Sequence, residues 1–321
     1  MKNIYLVLLS FLALQATAQQ HETFFCGQTA ARERLFARHP HAQAACERDT
    51  RELERFTQEQ EGQRGGNNQV YIIPVVFHII HENGNENIDQ EQVNDAINIL
   101  NRDFRKLNAD TADIVDAFDD IAADTYIEFR LATIDPDGNC HSGVNRIVSP
   151  LTNDGTNSDM KALSYWPRNS YLNIWVCAEI GSGIAGFTNL PGDVNGNWGA
   201  LEDGIVMRSD YVGSIGTSSP IRSRTLTHEI GHWLNLYHTW GPTNSPGEAS
   251  NCDFDDNVTD TPNTIGWTSC NINGASCGSA QDNVQNYMEY SYCSRMFTQG
   301  QATRMRAALQ SSTAQRNQLW T

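Results

Sequence analysis

The chain has 321 residues, with 38 acidic against 22 basic side chains and a net charge of −16. That balance excludes a protein held to nucleic acid by a basic face, and the length supplies one large domain or two ordinary ones with ample core. An acidic surface suits cationic substrates or calcium, and it also serves plain solubility.

In chain order, residues 1–18 form the first unit. Lys2 gives a positive start, Ile4 to Leu14 an apolar run, and Ala16-Thr17-Ala18 a small-residue cleavage site, which together read as an export signal. No other stretch is long and apolar enough to span a membrane, so the expected product is secreted. In that oxidising setting eight cysteines favour disulfides over free thiols.

Residues 19–54 read as a pro-segment and residues 55–321 as the working domain. The pro-segment is polar, highly charged and helix-prone, with few large apolar residues. A Gly/Asn-rich run from Gly62 to Asn68 follows it, and Arg51, Arg55 and Arg64 lie where a protease could reach. Val70 to Ile80 is a β-branched run that predicts a buried strand. Asp89 to Asn108 predicts a helix, with Asp89 as cap and Val93, Ile97, Ile99, Leu100 and Phe104 at helical spacings. Further strands are predicted over Ile127–Ile134, Tyr171–Ala178 and Gly204–Arg208. A strand–helix–strand–strand–strand–helix order predicts an α+β domain, a twisted sheet backed by helices. From Gly241 to Cys293 the chain is rich in Asn, Asp, Ser, Thr and Gly, and a loop region of that length needs tying down by disulfides or ions. Thr298 and Gln301 form a capping box that predicts a last helix.

The chemistry is concentrated in HEIGHWLNLYH, residues 228–238. On a helix His228 and His232 lie one turn apart on one face, so one tetrahedral zinc ion can take both ring nitrogens. Glu229 is turned aside from the metal but can reach a water on it, the position of a general base. His238 lies ten residues past His228, about 15 Å further along a straight helix. It becomes a third ligand only if the chain turns back after His232. Asn235 stands at that turn, and asparagine is the residue after glycine that best tolerates positive φ. His78 and His81, at the end of an apolar strand, read as structural or exposed, not as ligands.

These residues resemble the metzincin zinc signature, with Asn235 in place of its glycine. Within the metzincins the chain resembles the pappalysin family. The resemblance rests on HEIGHWLNLYHTWG, on Asn286-Tyr287-Met288-Glu289-Tyr290, on Asp260-Thr261-Pro262 and on Met296-Phe297-Thr298-Gln299-Gly300-Gln301, and it spans roughly residues 70–310. It implies a mixed sheet with the active-site helix in an upper subdomain, and a loop-rich lower subdomain with a Met-turn and a C-terminal helix. It implies a zinc endopeptidase acting on proteins and peptides. Met288 would floor the zinc site and Tyr290 would steady the developing oxyanion. It implies structural calcium near Asp256, Thr259 and Thr261, oxygen donors of the hard type. Four cysteines of the loop region allow three pairings; the resemblance implies Cys252–Cys277 and Cys270–Cys293. Cys140 and Cys177 remain as a candidate third bridge.

Phe25-Cys26-Gly27 resembles a cysteine switch, a thiolate on the zinc that makes the pro-segment its own inhibitor. A Cys26–Cys46 disulfide is the competing reading. The resemblance also implies cleavage before Arg or Lys, held by an acid shortly after the Met-turn. Here Glu289 follows Met288 directly, Ser291 to Ser294 contains no acid, and Arg295 has the opposite sign. A Lys/Arg preference would place autocatalytic cuts before Arg51 or Arg55. The alternative outside enzymology is a zinc-bearing adhesion or binding module, and the intact Glu229 argues against it.

Overall fold

The computed structural model describes residues 25–61, 69–181 and 183–320. The signal segment, 1–18, lies outside these residues, as do residues 19–24 of the expected pro-segment and Arg64. The chain begins with a two-residue strand, β1 (Phe25–Cys26), and two helices, α1 (Gln28–Arg38) and α2 (Gln43–Glu61). Next come β2 (Tyr71–His81), α3 (Gln90–Phe104), the single turn α4 (Asp116–Asp119), β3 (Ile127–Leu131) and β4 (Val144–Val148). After these lie the short α5 (Ser158–Ala162), β5 (Leu172–Cys177), β6 (Ile184–Thr188), β7 (Ile205–Arg208), α6 (Thr225–Trp233) and α7 (Gln299–Gln310).

The strands form one sheet in the order β1-β6-β7-β5-β2-β3, with β4 beside the far half of β2. Every pairing is parallel except β6 with β7. This is an α+β fold with a mixed sheet. β2 is buried on both faces, which explains its unbroken apolar run. β2 pairs β3 along Tyr71–Val75 and β4 along Phe77–His81, so two short strands share one edge.

The main core lies between the sheet and the helices α3 and α6, and it includes Phe77, Leu100, Phe104, Ile174, Ile230, Met288 and Phe297. The five apolar residues named for the first predicted helix are all buried in α3. Asp89 accepts from the Gln92 amide as its cap. That helix stops at Phe104, four residues short of its predicted end, where Arg105 turns out of helical geometry. The strand predicted to reach Ile134 ends at Leu131; Ile134 is exposed at the mouth of a tight turn and bridges to Cys140. Thr298 and Gln301 make the complete capping box on α7.

The loop-rich region carries two disulfides, Cys252–Cys277 and Cys270–Cys293, the pairs the resemblance implies. The candidate third bridge is not formed. Cys177 is buried within β5, Cys140 is exposed, and both are free. Cys26 and Cys46 are likewise free thiols, each buried in a different contact, so the competing disulfide reading is also not what the structure contains. His78 and His81 are buried and stand apart from the zinc motif. The His78 ring bridges Asn173 at 2.9 Å and Asn145 at 3.2 Å, and burial holds its pKa down near 4. Among the described residues no helix is long and apolar enough to cross a membrane.

Candidate active site

All nine residues of α6 are buried. The helix ends in a Schellman turn: the Asn235 amide donates to the His232 carbonyl at 2.9 Å and the Leu236 amide to the Gly231 carbonyl at 2.9 Å. Asn235 sits at φ +74°, the left-handed residue that this turn requires. Its carbonyl accepts from Arg304 Nε of α7 at 2.6 Å, which anchors the turn to the lower subdomain. The reversal brings His238 back beside the helix. The Nε2 atoms of His228 and His238 each stand 3.2 Å from Nε2 of His232. Nitrogens bound at about 2.0–2.1 Å around a tetrahedral zinc are about 3.3 Å apart, so this spacing fits a zinc ion.

Each imidazole is oriented by a backbone carbonyl opposite the metal side. Nδ1 of His228 faces the Tyr287 carbonyl at 2.8 Å, that of His232 the Leu236 carbonyl at 2.8 Å, and that of His238 the Thr243 carbonyl at 3.0 Å. With the proton on Nδ1, every Nε2 lone pair points at the shared centre. Burial pushes the three rings toward the neutral form that binds metal, His232 to about 4 and the other two well below their ordinary value. The His238 ring is stacked on Trp240, centroids 4.3 Å apart and planes within 6°. Nothing in the motif spacing announced Trp240 or the three carbonyls; the carbonyls carry no side-chain signal at all.

Met288 is fully buried against the helix that carries His228 and His232. A Cβ on Gly231 would stand 2.4 Å from its sulfur, so the glycine of HEIGH is what lets the turn pack against the helix. Tyr290 is buried with its ring 5.6 Å from that of His228 and 5.1 Å from that of His238. Glu229 is buried, and burial raises its carboxyl to about 8. One of its oxygens, Oε1, has no hydrogen-bond partner. Gly186 of β6 lies against it: a Cβ there would meet Met207 Sδ at 2.6 Å and Glu229 Cγ at 3.2 Å. Glu289 belongs elsewhere. Its two oxygens accept from the Thr239 hydroxyl at 2.6 Å and the Trp267 amide at 2.8 Å, and burial raises it to about 8.

Cys26 reaches this centre from the other end of the chain. β1 lies along β6, Cys26 opposite Gly186, and the Gly27 amide donates to the Gly186 carbonyl at 2.8 Å. One ligand atom each of Cys26, His228, His232 and His238 all lie within 4.8 Å of one another. Cys26 Sγ is 3.5 Å from Glu229 Oε2, and its amide donates to the Tyr290 hydroxyl at 3.1 Å. Asn244, absent from the sequence reading, donates to the Cys26 carbonyl at 2.9 Å and accepts from Tyr290. Burial and the neighbouring Glu229 push the free thiol's pKa up; a bound divalent cation reverses that and takes a thiol as thiolate.

The helices that follow Cys26 are tied to the domain by charge. Arg32 pairs Asp193 at 3.0 Å, Arg38 pairs Glu202 at 3.0 Å, and Glu54 pairs the buried Arg304 at 2.7 Å. Arg51 and Arg55 lie inside α2, where the backbone is helical and not the extended chain a protease grips. In the loop region the Asp256 carboxylate is buried and accepts from Thr261 Oγ1 at 2.7 Å and the Val258 amide at 3.1 Å. Thr259 is exposed. Asp260 is committed elsewhere, accepting from Thr298 Oγ1 and the Gly300 amide at the start of α7.

A mixed sheet, a buried HExxH helix closed by a turn at a left-handed residue, three convergent imidazoles and a buried methionine packed on that helix define a zinc metalloprotease of the metzincin class. Comparison with known proteins agrees. The profile of peptidase family M43, described as pregnancy-associated plasma protein-A, matches residues 154–310. Mature mirolysin of Tannerella forsythia, solved in complex with a cleaved peptide, is 32% identical, with a TM-score of 0.70 over 78% of this chain and 96% of that one. A point mutant of promirolysin from the same organism is 28% identical, with a TM-score of 0.75 over 92% of this chain and 96% of that one. An extracellular metalloprotease of Arthroderma otae is 29% identical over 74% of this chain and 77% of its own. The chain belongs to the pappalysin family, peptidase family M43.

Proposed function

We propose that this metalloprotease is a secreted endopeptidase made in latent form, with residues 1–18 as export signal, 19–54 as pro-segment and 55–321 as catalytic domain. His228, His232 and His238 hold zinc, and Cys26 is its fourth ligand while the pro-segment is in place. The observation that carries this reading is the Cys26 sulfur, buried against three oriented imidazoles more than 200 residues away. Support for the pro-segment comes from the likeness to promirolysin, which extends over more of this chain than the likeness to mature mirolysin does. Support for export comes from relatives named as extracellular.

Zinc, when bound, supplies Lewis acidity: it polarises a peptide carbonyl and brings the pKa of a water to about 7. The remaining work falls to this chain's own side chains. Glu229 takes the proton of the attacking water and returns it to the leaving amine. Tyr290 donates its phenolic hydrogen bond to the carbonyl oxygen as negative charge develops there. In the latent arrangement both are engaged by Cys26, so departure of the pro-segment frees the base and the phenol together. The boundary at residue 54 falls inside α2, so cutting there, or before Arg51 or Arg55, requires that helix to unwind locally.

Calcium is part of the proposal. Asp256 supplies a buried carboxylate that forms no ion pair among the described residues, the Thr261 hydroxyl is bonded to it, and Thr259 is the third donor proposed. A calcium-dependent rise in melting temperature that Asp256→Asn removes is the expected result; no response to calcium rejects that site.

The test of the whole is direct. Glu229→Ala abolishes casein cleavage while zinc stays stoichiometric, and Cys26→Ala gives a full-length chain that cleaves without delay. Casein cleavage by Glu229→Ala, or unchanged latency in Cys26→Ala, rejects the respective role. A chain that binds zinc yet cleaves nothing before or after removal of the pro-segment is the binding module instead.

A further inference from the structure

Beside the His228 imidazole and the Tyr290 ring a cleft opens whose walls include Arg222, Arg224, Glu289 and Ser294. Among the described residues, none of the pro-segment lines it. Because it begins at a zinc-side imidazole, a substrate side chain adjoining the scissile bond reaches it. Its arginines and its acid already have partners. Arg222 pairs Asp210 at 2.6 Å, and Arg224 pairs Asp103 at 3.0 Å and Asp110 at 3.2 Å. Among the described residues that line the cleft Glu289 is the one acid, and both of its oxygens take donors, the Thr239 hydroxyl and the Trp267 amide. Glu289 is only 2% exposed. A lysine or arginine entering here meets two guanidinium walls and no open carboxylate oxygen. Ser294 offers a neutral hydroxyl, that of Ser291 is given to the Val284 carbonyl, and Tyr211, Ile221 and Tyr292 offer apolar surface.

We propose that this cleft is the enzyme's main specificity pocket and that it takes a neutral side chain flanking the cut, rejecting Lys and Arg. The inference rests on the peptidase reading above, and it makes Ser294 a specificity-determining position: among the described residues, a carboxylate there would be the only open one in the cleft.

The experiment is a cleavage profile of a mixed peptide library by the zinc-loaded, self-processed enzyme, alongside the same enzyme carrying Ser294→Asp. Cuts that vanish in Glu229→Ala establish the peptidase independently of which residues flank them. The flanking position at which Ser294→Asp alters the profile is the one that the cleft serves. At that position the parent enzyme is expected to favour neutral residues, and Ser294→Asp to raise Lys and Arg by at least about tenfold, a fraction of what opposite charges are worth at close range near a protein surface. Calorimetric binding of product-like peptides to the Glu229→Ala protein, after the parent enzyme has cut away its pro-segment, should follow the same order, neutral above Arg. Lys or Arg dominating that position in the parent, or Ser294→Asp leaving both flanking positions unchanged, overturns the proposal.

Discussion

The turn at Asn235 offers the sharpest test of how this sequence builds a three-histidine site. Asn235 is held at φ +74°, its amide and the Leu236 amide close the end of α6, and its carbonyl accepts from Arg304. The left-handed region costs an ordinary L-residue roughly 1–2 kcal/mol, less for asparagine and nothing for glycine. Glycine regains that strain but loses roughly 0.5–1 kcal/mol through the entropy of the unfolded chain. Asn235→Gly should therefore be neutral within about 0.5 kcal/mol. Asn235→Ala should cost about 1 kcal/mol. Asn235→Val, branched at Cβ, should cost about 2–3 kcal/mol, since such residues are outliers at positive φ. Zinc should report the same order. The Leu236 carbonyl that orients His232 belongs to the turn, and His238 follows three residues after Asn235. Losing such an orienting bond typically weakens a metal site about 10–100-fold. Urea unfolding of the zinc-free protein gives the first series, and competition with a metal-binding dye gives the second. If Asn235→Val unfolds at the wild-type midpoint and keeps wild-type zinc affinity, the turn does not position His238 and the reasoning fails.

Other outcomes can be checked beside it. Gly231→Ala should lower zinc affinity and cost about 2 kcal/mol, because its Cβ would press on Met288 at 2.4 Å; Met288→Ala in the same chain should recover part of the zinc affinity. His78 is neutral in the fold, its pKa lowered from 6.5 to about 4 by burial. The unfolded chain therefore binds the extra proton between those values, and stability should fall by about 3 kcal/mol as pH drops from 6.5 to 4. His78→Gln should flatten that part of the acid-unfolding curve; an unchanged slope would assign it to other groups. Glu54→Gln leaves the buried Arg304 without its counter-charge and should loosen the proposed pro-segment by about 1–2 kcal/mol, Glu54 being partly exposed. Faster release in a processing time course is the readout, and an unchanged rate would show that the pair does not secure the pro-segment.

What the sequence by itself determined was local. The four-residue spacing of His228 and His232, the turn-competent Asn235, the cap at Asp89 and the capping box at Thr298 and Gln301 each depend on neighbours within one or two helical turns. Their physics is complete within a short window. The short strands β4 and β6 escaped the same reading. They carry no tight hairpin turn to mark them, and their partners lie far along the chain, β2 tens of residues before β4 and β7 across a long loop from β6. Cysteine pairing in the loop region was left open by the sequence among three arrangements and entered only through resemblance; Cys140 and Cys177 show why, since whether two sulfurs meet depends on where separate strands and turns end up. The site divides the same way. Its ligands were legible, but the carbonyls of Tyr287, Leu236 and Thr243, the stacked Trp240, Gly186 against Glu229 and the docking of β1 on β6 are placements made by the fold. A side chain's chemistry is fixed when the residue is named, whereas its neighbours are fixed only when the whole chain has found the packing that buries its apolar faces.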